Sequence, residues 1–144
     1  MAAISHPVQV TIENNSGFSM NFDGDYYVHG KVEDDAEWPR LIDCGGKIAV
    51  LSFGTDQPTE DGSCAGYVSY SMGPGTLTIA FTCDDKENKV AAGTNPAMSI
   101  FHSQSSFKYQ PYTQPFKFGD QTVEVTISCT KGQANLVKAT LRKL

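Results

Sequence analysis

Three histidines, four cysteines and sixteen carboxylates are the residues of this chain that could do chemistry. Acyl transfer needs a nucleophile on a sharp turn, and Gly62-Ser-Cys-Ala-Gly66 has the G-x-C-x-G form of one. Such an elbow works only between a strand and a helix. This one follows a polar loop and leads into Gly66-Tyr-Val-Ser-Tyr70, which reads as a strand. Cys64 is therefore expected at a turn with a buried or half-buried thiol. His6, His29 and His102 form no H-x-x-x-H or H-E-x-x-H metal pattern. The acids Asp23, Asp25, Glu33, Asp34, Asp35, Asp84 and Asp85 lie in no twelve-residue calcium loop with its closing Glu. There is no G-x-G-x-x-G and no Walker A pattern. The sequence thus points to no enzyme, no metal and no cofactor.

Cys44, Cys64, Cys83 and Cys129 contain no C-x-x-C, so neither a zinc site nor a thioredoxin-like motif is supported. Four cysteines allow three pairings. The N-terminus has no basic start and no apolar core of a signal peptide. The protein is expected to be made in the cytoplasm, with free thiols.

Aromatic side chains are the stronger signal. Six of the eighteen residues from Phe101 to Phe118 are aromatic, interleaved with Ser, Gln and Lys and without any acid. Aromatics with one polar end suit a boundary that is dry on one side and wet on the other, a membrane interface or a sugar face. Lys108 and Lys117 would help near anionic headgroups. The alternative is that Phe101, Phe107, Phe116 and Phe118 face the core while Tyr109 and Tyr112 stay at the surface. A second group, Tyr26, Tyr27 and Trp38, lies on the acidic stretch Asp23–Asp43. Trp38 is read two ways, as a core plug or as a contact residue. The contact candidates are Tyr26, Tyr27, His29, Trp38, Lys108, Tyr109 and Tyr112.

The elements that would position them have a period of two. Val8, Val10 and Ile12 alternate with polar residues, as do Phe18, Met20 and Phe22. Asn14-Asn-Ser-Gly17 between them predicts a hairpin turn joining two antiparallel strands. Further strands are expected at Ile48–Phe53, Ala65–Ser71, Thr76–Cys83, Phe116–Phe118, Val123–Cys129 and Val137–Leu141. Met72-Gly-Pro-Gly75 and Lys131-Gly132 read as hairpin turns. Glu33–Arg40, Thr55–Gly62 and Asp84–Pro96 read as loops. Pro111 and Pro115 bar a regular central strand near Tyr112. Short strands spaced by turns predict an all-β, single-domain antiparallel sandwich over residues 1–144.

The net charge of −5 argues against a nucleic-acid partner, because phosphate contacts need a basic surface. The charge is uneven. Residues 1–60 hold 10 acids and 3 bases, a balance of −7. No apolar run approaches the roughly 20 residues of a membrane-spanning helix.

In order along the chain, several segments resemble the aegerolysin family of small acidic β-sandwich proteins. Val8–Gly17 resembles the family's opening strand and turn. His29-Gly-Lys31 falls where many fungal members have Trp-Gly-Lys. Gly62–Tyr70 is similar to their Glu-Gly-x-x-Gly and following strand, and Thr76–Cys83 with Asp84–Asn88 to a later strand and loop. The resemblance spans most of residues 8–130. There are departures. The chain has one Trp, whereas the fungal members are tryptophan-rich, and Asp84-Asp-Lys-Glu87 replaces their Cys-Pro-Trp-type turn. The pattern looks closer to the small component of binary insecticidal and cytolytic toxins. What the resemblance implies is binding to a target-cell membrane lipid or glycan, together with a larger pore-forming partner. The fungal lipid specificity does not carry over. The rival expectation is a soluble sandwich lectin. The lipid or sugar, the partner and the oligomeric state are not encoded in any motif.

Overall fold

Alternation becomes strand in nearly every place it occurs. The computed structural model describes residues 7–29, 31–32, 37–53, 64–83, 88–102 and 110–144. Its strands are β1 (Val8–Asn15), β2 (Met20–His29), β3 (Lys31–Val32), β4 (Leu41–Ile42), β5 (Lys47–Phe53), β6 (Cys64–Met72), β7 (Gly75–Cys83), β8 (Lys89–Gly93), β9 (Tyr112–Phe118), β10 (Gln121–Ser128) and β11 (Asn135–Lys143). One short helix, α1 (Ala97–His102), lies between β8 and β9.

The strands form two sheets, a six-stranded one in the order β3-β5-β1-β11-β10-β9 and a five-stranded one in the order β4-β2-β6-β7-β8. They pack face to face as the expected all-β sandwich. Val8, Val10 and Ile12 of β1, with Val137, Ala139 and Leu141 of β11, meet Val68, Tyr70 and Met72 of β6 and Leu77, Ile79 and Phe81 of β7 in the core. Each large apolar side chain buried there stabilises the fold by about 1.5–3 kcal/mol. Two hairpins stand as expected. Met72 pairs with Gly75 across the β6–β7 turn, and β10 pairs antiparallel with β11. Pro115 sits in β9, at the edge of its sheet, the place in a sheet where proline is tolerated.

The first expected hairpin is not one. β1 pairs with β5 and, in parallel, with β11, while β2 pairs with β4 and β6 in the other sheet. Asn14–Gly17 is a corner between sheets. Asn14, fully buried, holds it. Its Nδ2 donates to the carbonyls of Phe18 (2.8 Å) and Ile42 (3.0 Å). Its Oδ1 accepts from the Ser16 N–H (3.1 Å) and hydroxyl (2.6 Å). Gly17 completes the corner at φ +87°, which L side chains rarely adopt. These bonds satisfy backbone groups that a hairpin would have paired in a ladder.

The second correction is Asp84–Pro96. Its described part includes β8, which pairs with β7 from Thr82↔Lys89 to Thr78↔Gly93. Val90 faces the core. Ala91 and Ala80 pack under Ile100 of α1 on the outer face. A strand buried on both faces shows no alternation, so its small residues read as a loop. The acidic stretch Asp23–Asp43 supplies most of β2, all of β3 and β4, and a buried Trp38; the described part of the expected loop Glu33–Arg40, residues 37–40, is outside any strand or helix. No disulfide joins any two of the four cysteines; Cys44 is exposed and the others are buried.

Candidate functional site

A strand irregularity decides which aromatic side chains of β2 face inward. Phe22 lies opposite Tyr70, but Gly24, not Asp23, lies opposite Ser69. This bulge adds one residue and reverses the alternation beyond it. Asp25 then lies opposite Val68 and Tyr27 opposite Gly66, on the inner side with Phe22. Tyr26 lies opposite Tyr67, on the outer side. Gly66 is required there, because a Cβ would press into the Tyr26 carbonyl oxygen and come within 2.9 Å of Tyr27 Cδ1.

The segment Glu37–Arg40 is pinned along the free side of β2. The Phe22 N–H donates to the Arg40 carbonyl (2.9 Å), and the Tyr70 hydroxyl to the Pro39 carbonyl (2.8 Å). Between this segment and β2 is a hollow of about 220 Å³, lined by Phe22, Asp25, Val32, Glu37, Trp38 and Arg40. Among the described residues of the lining, half are apolar or aromatic and half are charged, with two carboxylates and one guanidinium.

Trp38 forms the back of the hollow and is only 3% exposed. Its ring lies 6.3 Å from that of Phe81, which also packs at 6.0 Å against Tyr27. Trp38 is thus a core plug with one side on the hollow, and the reading of it as an exposed surface contact is corrected. Its Nε1 has no hydrogen-bond partner among the described residues. The Tyr27 hydroxyl bonds to Ser52 Oγ at 2.7 Å. Burial drives the Tyr27 pKa well above the usual phenol range. The Ser52 bond opposes this in part, and so, more weakly, does the nearby indole, which lacks full hydrogen-bond geometry. Burial, and secondarily the Asp25 charge, raises Tyr70 in the same way. Both phenols stay neutral, and the Asp25 carboxylate acts on both electrostatically.

The other contact candidates are scattered. Tyr26 is 45% exposed and stacks on Tyr67 at 5.8 Å; Tyr67 continues to Phe101 of α1 at 6.4 Å. These rings form a row on the outer face of the five-stranded sheet. His29 ends β2, opposite Ala65. Tyr112 starts β9 in the other sheet, 45% exposed, opposite Ile127. Lys108 and Tyr109 lie outside the described residues. The structure therefore places Tyr27 and Trp38 together behind the hollow, Tyr26 on the opposite face of β2, and Tyr112 apart from both.

Sequence reasoning missed Phe22, Asp25, Val32, Glu37 and Arg40 as site residues. One signal for the bulge was present: Gly24 interrupts an alternating run, and an isolated strand glycine often marks such a place. Among the described residues, no group of three or more His, Cys, Asp or Glu side chains could hold a metal ion.

No protein-family model and no curated protein matches the sequence. Solved structures do match in fold. The lipid binding protein Nakanori superimposes with a TM-score of 0.72 at 14% identity, over 99% of this chain and 72% of its own. A substituted form of the Xerocomus chrysenteron lectin XCL gives 0.65 at 11%, over 97% and 99%. IP-1A from Alcaligenes faecalis gives 0.53 at 16%, over 98% and 93%. At these identities what is shared is the fold, a single β-sandwich of the type expected for an aegerolysin-like chain.

Proposed function

We propose that this protein is a non-enzymatic binding protein that recognises a lipid or glycan on a cell surface. The observation that carries this is the hollow between β2 and Glu37–Arg40. It has an aromatic back wall and charged sides in a chain with no catalytic constellation among its motifs. A binding pocket of this kind joins apolar lining with a few polar groups that fix orientation. The fold shared with a lipid binding protein and a lectin supports the same reading. The motif order that resembles the aegerolysins supports a narrower one. The protein would be the receptor-binding component of a bipartite cytolytic toxin, acting after release and recruiting a larger pore-forming partner. The lectin likeness keeps a glycan as the alternative ligand, bound without such a partner.

Co-sedimentation with vesicles of varied lipid composition, beside a glycan array, tests the proposal. Binding to one lipid or glycan class that persists at physiological salt is the expected result, because a contact made by charge alone fades with screening. No saturable binding to any lipid or glycan would overturn it.

A further inference from the structure

We infer that Cys64 and Cys83 are a cross-linking site, which a small-molecule disulfide such as oxidised glutathione converts to an intramolecular disulfide compatible with the native fold. β6 and β7 pair residue by residue from Met72↔Gly75 at the turn to Cys64↔Cys83, the pair farthest from it. Residues directly opposite in an antiparallel pair have Cα atoms about 4.5–5.5 Å apart. That lies inside the roughly 4.4–6.8 Å that a disulfide spans. Both side chains are fully buried in the same core cluster, so they leave the sheet on the same face. They are close enough for charge on Cys83 to act on the Cys64 thiol. No disulfide joins them in the structure, and the Cys83 thiol donates to the Gln133 carbonyl at 3.1 Å.

The other two cysteines do not share this geometry. Cys129 follows β10 in the six-stranded sheet, whereas Cys64 and Cys83 belong to the five-stranded one. Facing sheets lie about 10 Å apart, beyond the roughly 7 Å past which a bridge needs backbone movement. Cys44 is exposed, between β4 and β5. In the reaction one of the two cysteines, as thiolate, attacks a sulfur of the oxidant and expels one thiol. The other then attacks the mixed disulfide and expels the second. The protein loses two protons and two electrons, and the S–S bond of the oxidant becomes two thiols. The new bond ties the open end of the β6–β7 hairpin, where β6 begins and β7 ends. Its cost in the native state is the S–H bond to Gln133, a weak one. Both sulfurs are buried, so attack requires that end of the hairpin to open. The bond therefore forms readily while the chain folds and slowly in the closed protein.

The test is to refold the reduced, urea-unfolded protein in a buffer of reduced and oxidised glutathione. The product is then alkylated, digested and mapped by mass spectrometry. The expected product has one intramolecular link, Cys64–Cys83, an intact mass lower by two hydrogens, and alkyl groups on Cys44 and Cys129. It should melt cooperatively, roughly 5–10 °C above the reduced protein, because the link closes a loop in the unfolded chain. Strong reductant should return the midpoint to the reduced value. The Cys44→Ser/Cys129→Ala variant should give the same link, which keeps the test independent of variants that remove either linked cysteine. A link through Cys129, glutathione left on Cys64 or Cys83 in place of a link, or no intramolecular link at all would overturn the inference. So would a linked protein that melts no higher than the reduced one.

Discussion

Asn14→Asp is nearly isosteric, yet it should be among the most damaging substitutions in the protein. The Asn14 amide donates to two carbonyls, those of Phe18 and Ile42, in a site with no solvent exposure. A carboxylate there would face both carbonyls without a donor. Two lost hydrogen bonds cost about 2 kcal/mol at roughly 1 kcal/mol each. The acid must also either stay ionised against two carbonyl oxygens or take up a proton. Holding a proton at pH 7 on a group whose unfolded pKa is about 3.9 costs about 4 kcal/mol. The Ser16 N–H and hydroxyl, which already donate to Oδ1, favour the ionised form and lower this figure. The net loss is about 3–5 kcal/mol at pH 7, a large fraction of the 5–15 kcal/mol typical of a domain. The sign of the pH dependence follows. Burial and the carbonyls raise the folded-state pKa above the unfolded value. The penalty is therefore present at neutral pH and shrinks as pH falls toward about 4, where the protonated acid can again donate one bond. Urea unfolding of the variant and parent at pH 7 and pH 4 measures this directly. A variant as stable as the parent at pH 7, or one whose deficit does not shrink at pH 4, would refute the assignment of Asn14 as the donor that holds the corner.

Other consequences are open to the same kind of measurement. Gly66→Ala drives a Cβ into the backbone of β2 and should cost several kcal/mol, about the scale of overpacking. Gly24→Ala, with nothing within 4 Å of the new Cβ, should shift stability by less than about 1 kcal/mol; thermal melts of both variants decide. Tyr27→Phe strands the buried Ser52 hydroxyl and should cost about 1–2 kcal/mol in urea unfolding, whereas Tyr27→Phe/Ser52→Ala should cost less than the two single changes together. A thiol reagent should modify Cys44 alone in the native protein and all four cysteines after unfolding, because only Cys44 is exposed. Burial pushes the Cys64 thiol from 9.0 up to about 12, helped by Cys83 across the β6–β7 pair. Its raised folded-state pKa means stability is intact below pH 9 and falls by about 1.4 kcal/mol per pH unit above it; Cys64→Ala should flatten that slope.

Alternation by itself determined that the chain is a sandwich. Val8–Ile12, Val123–Cys129 and Val137–Leu141 each carry one apolar face, and a face of that kind must be covered by another. The hairpin residues at Met72–Gly75 and Lys131–Gly132 are local signals, since glycine and proline limit backbone angles without reference to the rest of the fold. Pairing between distant strands is a different matter. Nothing local to Val10 or Val137 says that the first and last strands lie side by side in parallel, or that Asn14–Gly17 turns a corner between sheets rather than a hairpin. Those choices are made by where the long-range apolar faces fit and by which buried carbonyls the Asn14 amide can reach. The candidate site depended on them even more. Trp38 could be read as plug or contact, and only its packing on Phe81 decided for the plug. Tyr26 and Tyr27 are neighbours in sequence with the same chemistry. The bulge at Asp23 sends one to solvent and the other into the core, because a single inserted residue exchanges the faces of every residue that follows it in the strand.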